Sequence, residues 1–268
     1  MNIVDDLGAE SIPTSTPVLE IKGAAVHFGG IKAVDGVSMA LGPGQIYGIL
    51  GPNGSGKSTL LAAITRMTSL TQGELLFDGK PYGHVSPERV AQMGIGRTFQ
   101  TVRLLDDLTV LENIQLGADF ARRSALMWRR PTASRTMLAE RVERAIEQTE
   151  LGGLERLRPS ELSYGFQRRV EIARAIAMDP RLLLLDEPTA GMNHSERREI
   201  GQLLGKLKQE HGRTQLLVEH DVQMMIDTCD YLFAMNFGRL IAEGKPEEVV
   251  RHPAVQEAYL GKRGASHA

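Results

Sequence analysis

A glycine-rich run near residue 50 carries the residue types that hold the phosphate chain of a nucleotide. The run Gly51-Pro52-Asn53-Gly54-Ser55-Gly56-Lys57-Ser58-Thr59 fits the pattern G-x-x-x-x-G-K-S/T. In such a loop the backbone N–H groups surround the phosphates, and the helix that follows adds the partial positive charge of its N-terminus. We expect Lys57 to reach the β and γ phosphates and the Ser58 hydroxyl to bind Mg²⁺. The run therefore predicts a nucleotide site.

Two neighbouring carboxylates, Asp186 and Glu187, follow an apolar run that is typical of a buried strand. The run is Arg181-Leu182-Leu183-Leu184-Leu185, and Pro180 and Pro188 bound it. In an open α/β sheet, ligands bind beyond the carboxyl ends of the strands. Asp186 can therefore reach a magnesium ion, and Glu187 can act as the general base on a water molecule. Two acids that end a strand by chance are the alternative, which the phosphate loop in the same chain disfavours.

The segments around the glycine-rich run predict the strand and helix that must position it. Residues 45–50 form a short apolar run typical of a buried strand, and residues 60–64 open a helical pattern. Residues 1–17 are acidic and rich in Ser, Thr and Pro, which indicates a flexible leader before a first strand at Val18. We expect residues 18–268 to form a single domain, because a chain of 268 residues can bury one good core.

A periodic helix is predicted after the segment Leu162-Ser163-Tyr164-Gly165. Ser163 is a favourable N-cap residue. The apolar side of the helix consists of Val170, Ile172, Ala173, Ile176 and Ala177. By itself this pattern indicates no more than a capped helix.

Composition excludes several classes of protein. The net charge is −2, without the basic bias of a nucleic-acid-binding surface, so we expect no nucleic-acid partner. The longest aliphatic run is the four leucines at 182–185, so no segment is predicted to span a membrane.

In their order along the chain, these motifs resemble the ATPase subunits of ABC transporters. The segment Leu162-Ser163-Tyr164-Gly165 resembles the signature of that family and lies between the phosphate loop and Asp186-Glu187, as it does in the family. The similarity runs from about Val18 to Leu260. It implies an α/β fold of the P-loop NTPase class, with a parallel-sheet core, an antiparallel β subdomain and a helical subdomain inserted at about residues 101–178.

The resemblance also implies roles for three further side chains. Phe28 would stack on adenine, Gln100 would contact Mg²⁺ and the attacking water, and His220 would contact the γ-phosphate. Taken singly, Phe28 could be a core aromatic, Gln100 a loop amide and His220 a buried histidine. Their order beside the other motifs favours the family roles. The implied catalytic set is Lys57, Gln100, Glu187 and His220, and the implied Mg²⁺ ligands are Ser58, Gln100 and Asp186.

A shared nucleotide site is a further implication of the family resemblance. Two such subunits pair head to tail, and each ATP lies between the phosphate loop of one and the signature of the other. Ser163, Tyr164 and Gly165 would then contact the nucleotide of the partner, helped by the helix N-terminus. Phe166 departs from the family pattern, because a phenyl ring replaces a polar residue and cannot donate a hydrogen bond.

Four separated segments resemble the ATPases of branched-chain amino-acid importers in particular. They are residues 94–105, 162–177, 187–193, and 238–244 followed by 258–261. This implies an ATP-hydrolysing subunit on the cytoplasmic side of the cell membrane that energises import of branched-chain or related hydrophobic amino acids. Its partners would be transmembrane permease subunits, an identical or homologous ATPase and, indirectly, an extracytoplasmic substrate-binding protein. Related importers of urea or of small aromatic or carboxylic compounds stay open, since the substrate never touches this chain.

Two further classes of protein would explain fewer of these motifs. A soluble ABC ATPase that acts on DNA or ribosomes normally needs long heptad runs or two cassettes, and this chain has one phosphate loop and no sustained heptads. A small-molecule kinase would not explain the signature or His220. Residues 117–137, with five arginines and Trp128, resemble a helical insertion of the importers. That segment could face anionic lipid headgroups or could be a solvated helical face.

Overall fold

The computed structural model describes residues 16–127 and 135–260, which contain two β-sheets surrounded by helices. An antiparallel sheet has the order β2-β1-β4-β5 and is built from β1 (Leu19–Phe28), β2 (Ile31–Leu41), β4 (Gln72–Phe77) and β5 (Lys80–Pro81). A six-stranded sheet has the order β10-β9-β3-β8-β7-β6 and is built from β3 (Ile46–Leu50), β6 (Ile95–Arg97), β7 (Leu182–Asp186), β8 (Thr214–Glu219), β9 (Tyr231–Asn236) and β10 (Arg239–Gly244). The second sheet is parallel except for its edge strand β10, which runs antiparallel to β9.

The described helices are distributed along the whole chain. Their bounds are α1 (Lys57–Ile64), α2 (Pro87–Met93), α3 (Val110–Met127), α4 (Arg135–Gln148), α5 (Tyr164–Ile176), α6 (His194–His211), α7 (Val222–Thr228), α8 (Pro246–Arg251) and α9 (Pro253–Leu260). Helices α3, α4 and α5 follow one another between β6 and β7 and pack against each other. They lie in the range where the resemblance implied an inserted helical subdomain.

A hydrophobic core lies on each face of the six-stranded sheet, and β7 contributes to both. Leu182 and Leu184 pack in the core that includes β1, β2 and α1, whereas Leu183 and Leu185 pack in the core that includes α5 and α6. Because successive side chains of a strand point to opposite faces, the run of four leucines is buried on both sides. The predicted α/β architecture is confirmed, with the antiparallel edge strand β10 as an addition.

The register of the parallel strands brings several loops to one edge of the sheet. Leu50 pairs with Glu219, Asp186 pairs with Val218, and Arg97 pairs with Leu184, so strands β3, β8, β7 and β6 end at similar heights. The loops that follow these four strands carry most of the residues predicted to do chemistry. The sheet therefore positions the candidate site at its carboxyl edge, as expected for an open α/β sheet.

Two sequence predictions fall outside the described residues. Residues 1–15 of the leader predicted at 1–17 are one, and residues 128–134 of the arginine-rich segment predicted at 117–137 are the other. Within residues 16–127 and 135–260, the helices are all too short or too polar to cross a membrane.

Candidate functional site

A cavity of about 500 Å³ opens at the carboxyl edge of the parallel strands and collects most of the predicted site. Nine predicted residues line it, namely Asn53, Gly54, Gly56, Lys57, Ser58, Thr59, Gln100, Glu187 and His220. Four residues that the sequence did not point to also line it, namely Ile31, Lys32, Ala33 and Phe237. Asp186 does not line the cavity and is buried at the end of β7.

The phosphate loop joins β3 to α1 in a conformation that depends on glycine. Gly56 has φ 103°, and a Cβ atom there would collide with the carbonyl oxygen of Ala33. Helix α1 begins at the next residue without a side-chain cap, so its first N–H groups can bind an anion. The Lys57 ammonium is buried and donates to the carbonyl oxygens of Gly51 at 2.7 Å and Pro52 at 3.1 Å. A cation and several N–H donors are therefore fixed at one end of the cavity.

Asp186 has one carboxylate oxygen in a strong contact and one without a partner. Its Oδ2 accepts from Nη2 of Arg97 at 2.9 Å. Its Oδ1 is buried and has no hydrogen-bond partner among the residues that the structure describes. Buried polar oxygens are nearly always satisfied, so a buried carboxylate oxygen without a described partner fits a hard cation such as Mg²⁺. Arg97 also donates to Thr65 Oγ1 at 3.0 Å, which fixes the guanidinium.

Gln100 and Glu187 are in direct contact across the cavity. The Gln100 side chain donates from Nε2 to Oε2 of Glu187 at 2.7 Å. Glu187 has φ 45°, a left-handed conformation that is unfavourable for a residue with a side chain and is often found at functional sites. Its N–H donates to the Val218 carbonyl at 2.9 Å, so the strained residue is tied to the neighbouring strand. The loop after β6 and the end of β7 thus present one amide and one carboxylate together.

His220 lies at the end of β8 with its ring half-exposed to the cavity. The ring Nδ1 is 3.7 Å from Oε2 of Glu219, a carboxylate that is fully buried. The other oxygen of Glu219 accepts from the N–H of Thr189 at 2.9 Å and from its hydroxyl at 2.6 Å. The side chain of His220 is 50% exposed, so the alternative of a buried core histidine does not hold.

Phe28 is placed on the surface near the site but does not line the cavity. Its side chain is 53% exposed, which excludes the alternative that it is a core aromatic. Residues of the following strand, Ile31 to Ala33, line the cavity instead, together with Phe237. The predicted stacking of Phe28 on a base stays a prediction.

Phe237 is an aromatic residue at the cavity that the sequence motifs did not reveal. It is 84% exposed, with φ 46°, in the turn between β9 and β10. The turn is anchored on the phosphate loop, because Gly238 donates its N–H to Ser55 O at 3.0 Å. It is also anchored on β2, because Arg239 forms an ion pair with Asp35 at 2.6 Å. A hydrogen bond from Arg239 lowers the pKa of the Asp35 carboxyl, which keeps this ion pair charged.

The Ser163, Tyr164 and Gly165 segment lies apart from this cavity, at the N-terminus of α5. Ser163 is the N-cap, but the hydrogen bond that its Oγ accepts from the Phe166 N–H is long, at 3.5 Å. Tyr164 and Phe166 are both 39% exposed. A Cβ atom at Gly165 would make only ordinary contact with Glu196 at 3.7 Å, so nothing in the described chain requires glycine there. The segment is an exposed helix end with room for an incoming group.

Comparison with known proteins shows which family this chain belongs to. The protein-family model for ABC transporters matches residues 34–190, and the model for branched-chain amino acid ATP-binding cassette transporters matches residues 239–265. The high-affinity branched-chain amino acid transport ATP-binding protein LivG of Escherichia coli (strain K12) is 36% identical to this chain over 254 residues, which cover 92% of this chain and 99% of LivG.

Solved structures agree with the sequence comparison. The ADP conformation of an ATP-binding cassette of an ABC transporter superposes with a TM-score of 0.82 at 33% identity, covering 92% of this chain and 100% of that one. A dimeric cassette in a post-hydrolysis state bound to ADP and Pi gives 0.72 at 30% identity, covering 85% and 98%. The chain therefore belongs to the ABC transporter family, as one of its nucleotide-binding, ATP-hydrolysing subunits.

Proposed function

We propose that this chain energises the import of branched-chain or related hydrophobic amino acids. The observation that carries the proposal is the match of residues 239–265 to the branched-chain cassette model, because that model is specific to one group of transporters. The likeness to LivG over nearly the whole of both chains supports it. The phosphate loop and the two carboxylates identify an ATPase without identifying its cargo.

In this proposal the phosphates of ATP bind along the loop Gly51–Thr59 and the N-terminus of α1. Lys57 exchanges its contacts with Gly51 and Pro52 for the β and γ phosphates. Ser58, Gln100 and Asp186 hold Mg²⁺, and the partnerless Oδ1 of Asp186 supports that assignment. When bound, Mg²⁺ offsets the negative charge that develops on the phosphate oxygens.

Hydrolysis would use the contact between Gln100 and Glu187. The Glu187 carboxylate accepts a proton from a water molecule whose oxygen attacks the γ-phosphorus, and the bond from that phosphorus to the oxygen of ADP breaks. Gln100 orients the carboxylate through its 2.7 Å hydrogen bond and can also orient the water, since an amide both donates and accepts. His220 donates to the γ-phosphate from the end of β8.

The second half of each nucleotide site would come from another cassette. Ser163, Tyr164 and Gly165 of one subunit approach the nucleotide bound to its partner, identical or homologous. The exposed position of this helix end supports the assignment, as does the likeness to a dimeric cassette. The dimer would work on the cytoplasmic face of the cell membrane with transmembrane permease subunits, which receive substrate from an extracytoplasmic binding protein.

Affinity purification of the tagged chain from membranes tests this proposal. We expect permease subunits to co-purify with the chain. The genes of these subunits should lie beside the gene of a binding protein, and titration of that protein by fluorescence or calorimetry should show binding of leucine, isoleucine or valine. A binding protein that responds only to urea or to an aromatic acid would assign the chain to a related importer. Recovery of ribosomal or DNA-bound partners without any membrane protein would contradict import.

A further inference from the structure

A fully buried arginine, Arg168, lies in the second turn of α5 and reaches into the catalytic loops. Its Nη1 donates to the Phe99 carbonyl at 2.6 Å, and its Nη2 donates to the Gln100 carbonyl at 2.7 Å. Nη2 also lies 3.5 Å from the carbonyl oxygen of Glu187. One guanidinium therefore contacts the backbone of both residues proposed to act on water.

Glu171, one turn further along α5, completes a buried clamp. One of its oxygens accepts from Nη1 of Arg168 at 2.6 Å, and the other accepts from the N–H of Phe99 at 3.3 Å. Burial raises the pKa of the Glu171 carboxyl, while the charge of Arg168 opposes that shift. The two side chains thus bind both the N–H and the carbonyl of the residue before Gln100.

The cost of this arrangement argues for a role beyond holding the fold together. Burying two charges is favourable only with close geometry and further hydrogen bonds, and an apolar pair often stabilises a core at least as well. Arginine suits a task that needs several carbonyls held in fixed directions, because its guanidinium is a rigid planar fork. Here the donors are directed at the loop after β6 and the end of β7, which carry Gln100 and Glu187.

Helix α5 also begins with the segment that the proposed function places against the nucleotide of the partner. Arg168 follows Ser163 by five residues, which is about 7.5 Å along a rigid helix axis. A shift of the helix end would therefore move the clamp and the backbone of Gln100 with it. No flexible loop lies between Ser163 and Arg168.

We propose that Arg168 and Glu171 are positioning residues that tie Gln100 and Glu187 to helix α5. Through this clamp, each site becomes competent for hydrolysis when α5 takes the orientation set by the nucleotide of the partner. This inference rests on the proposed roles of Glu187 and of the Ser163 segment. Because neither clamp residue lines the cavity, ATP binding to one chain does not depend on them.

The adjacent residue Arg169 provides a matched control. It is also buried on α5 and doubly paired, with Glu150 at 2.7 Å and Glu199 at 3.1 Å. It packs over the ring of Phe166 but contacts neither Gln100 nor Glu187 in any described hydrogen bond. Arg169→Met therefore removes two ion pairs of a buried arginine from the same helix without touching the catalytic loops, although the acidic partners of Arg169 are about half exposed.

The test compares Arg168→Met, Arg168→Lys, Arg169→Met and Glu187→Gln in the full chain. Melting temperature, ATP dissociation constant and kcat at saturating ATP are measured for each. We expect Arg168→Met to lower kcat roughly 10- to 100-fold, as a displaced catalytic group does, with the dissociation constant unchanged within about twofold. Arg168→Lys keeps the charge but not the planar guanidinium, so it should retain more activity than Arg168→Met. It replaces Arg168→Met in the comparison if the methionine variant does not fold. Arg169→Met should lower the melting temperature less than Arg168→Met, because its acidic partners are about half exposed, and it should keep kcat.

Two results overturn different statements. If Arg168→Met and Arg169→Met lose kcat equally, or both keep it, Arg168 is only a structural residue and the positioning inference is wrong. If Glu187→Gln retains the wild-type kcat, the proposed general base is wrong, whatever the Arg168 variants do.

Discussion

At the scale of single residues, the site depends on groups that hold one another in unfavourable conformations. Glu187 accepts a left-handed backbone because its N–H is tied to Val218 and its carboxylate to Gln100. Asp186 binds Arg97 through one carboxylate oxygen, and its other oxygen has no partner in the described part of the chain. A strained backbone and a buried oxygen without a partner both lower the stability of the fold, and both present a carboxylate at a fixed position.

Removing the charge of Glu187 tests the chemistry directly. Glu187→Gln keeps the size of the side chain and its contact with Gln100 but cannot accept a proton from water. We expect the hydrolysis rate to fall by about 10² to 10⁴, with ATP affinity retained. Steady-state phosphate release and equilibrium ATP binding measure the two effects. A variant that turns over ATP like the wild type would assign the base elsewhere.

Removal of Mg²⁺ tests the role of the bare oxygen of Asp186. Chelation by EDTA should stop hydrolysis, and Mg²⁺ should restore it. Asp186→Asn should require a much higher Mg²⁺ concentration for half-maximal rate, because a neutral amide oxygen binds a hard cation less well than a carboxylate. Arg197→Met, which breaks an ion pair with Asp221 away from the cavity, is the control. An Asp186→Asn enzyme with a normal Mg²⁺ titration would exclude the assignment.

Two exposed aromatic rings, Phe28 and Phe237, compete for the role of base platform. Stacking on one ring contributes about 1 to 3 kcal/mol, so its loss should weaken ATP binding by roughly 5- to 150-fold. The family resemblance predicts this loss for Phe28→Ala and its reversal for Phe28→Trp. Titration of a fluorescent ATP analogue into both alanine variants decides between them. If only Phe237→Ala weakens binding, the base stacks at the β9–β10 turn and the prediction for Phe28 is wrong.

At the scale of elements, the N-terminus of α5 is built for an external contact. Its cap is weak, its first residues are exposed, and its glycine meets no steric demand from the described chain. From Arg168 to Ile176 the same helix is almost entirely buried, and it packs mainly against α3 and α4. The helix thus joins an exposed end to the interior of the site.

A bulky, positively charged side chain at position 163 should distinguish ATP binding by one chain from dimerisation of two chains. Ser163→Arg should leave ATP binding to one chain intact but prevent the ATP-dependent dimer, because the arginine fills the space of the incoming phosphates. Ser163→Ala is the control, since loss of a cap costs only about 1 kcal/mol. Size-exclusion chromatography with light scattering, in the Glu187→Gln background with ATP, reports the dimer. Normal dimerisation of Ser163→Arg would remove this segment from the interface.

Local pattern predicted the elements well but missed contacts between distant elements. The strand before the phosphate loop, the leucine strand and the cap at Ser163 each have a signal within a few residues, and the structure confirms them. Arg97 binds a carboxylate 89 positions away, and Arg168 reaches a carbonyl 68 positions away. Such partners follow from how helices and strands pack, which no short window of sequence contains. Phe237 was missed because an aromatic residue in a turn has no motif.

At the scale of the whole molecule, the fold places the candidate catalytic site at one edge of the parallel sheet and the proposed subunit contact at the N-terminus of α5. Two cores hold the parallel sheet from both faces, so the loops after β3, β6, β7 and β8 start from fixed points. The helices between β6 and β7 connect these loops to the exposed end of α5. This layout suits a subunit that converts hydrolysis into movement of its partners.

Hydrolysis of ATP by this chain should drive amino-acid uptake, and reconstituted transport measures that directly. The measurement is accumulation of labelled leucine in proteoliposomes that contain the co-purified complex. The binding protein is added on the extracytoplasmic side of the permease, and ATP is supplied on the side of the membrane where this chain lies. We predict uptake that depends on ATP and disappears when Glu187→Gln replaces the wild-type chain. Uptake that is equal with both chains, or ATP-driven transport of an unrelated solute with none of leucine, isoleucine or valine, would contradict amino-acid import by this protein.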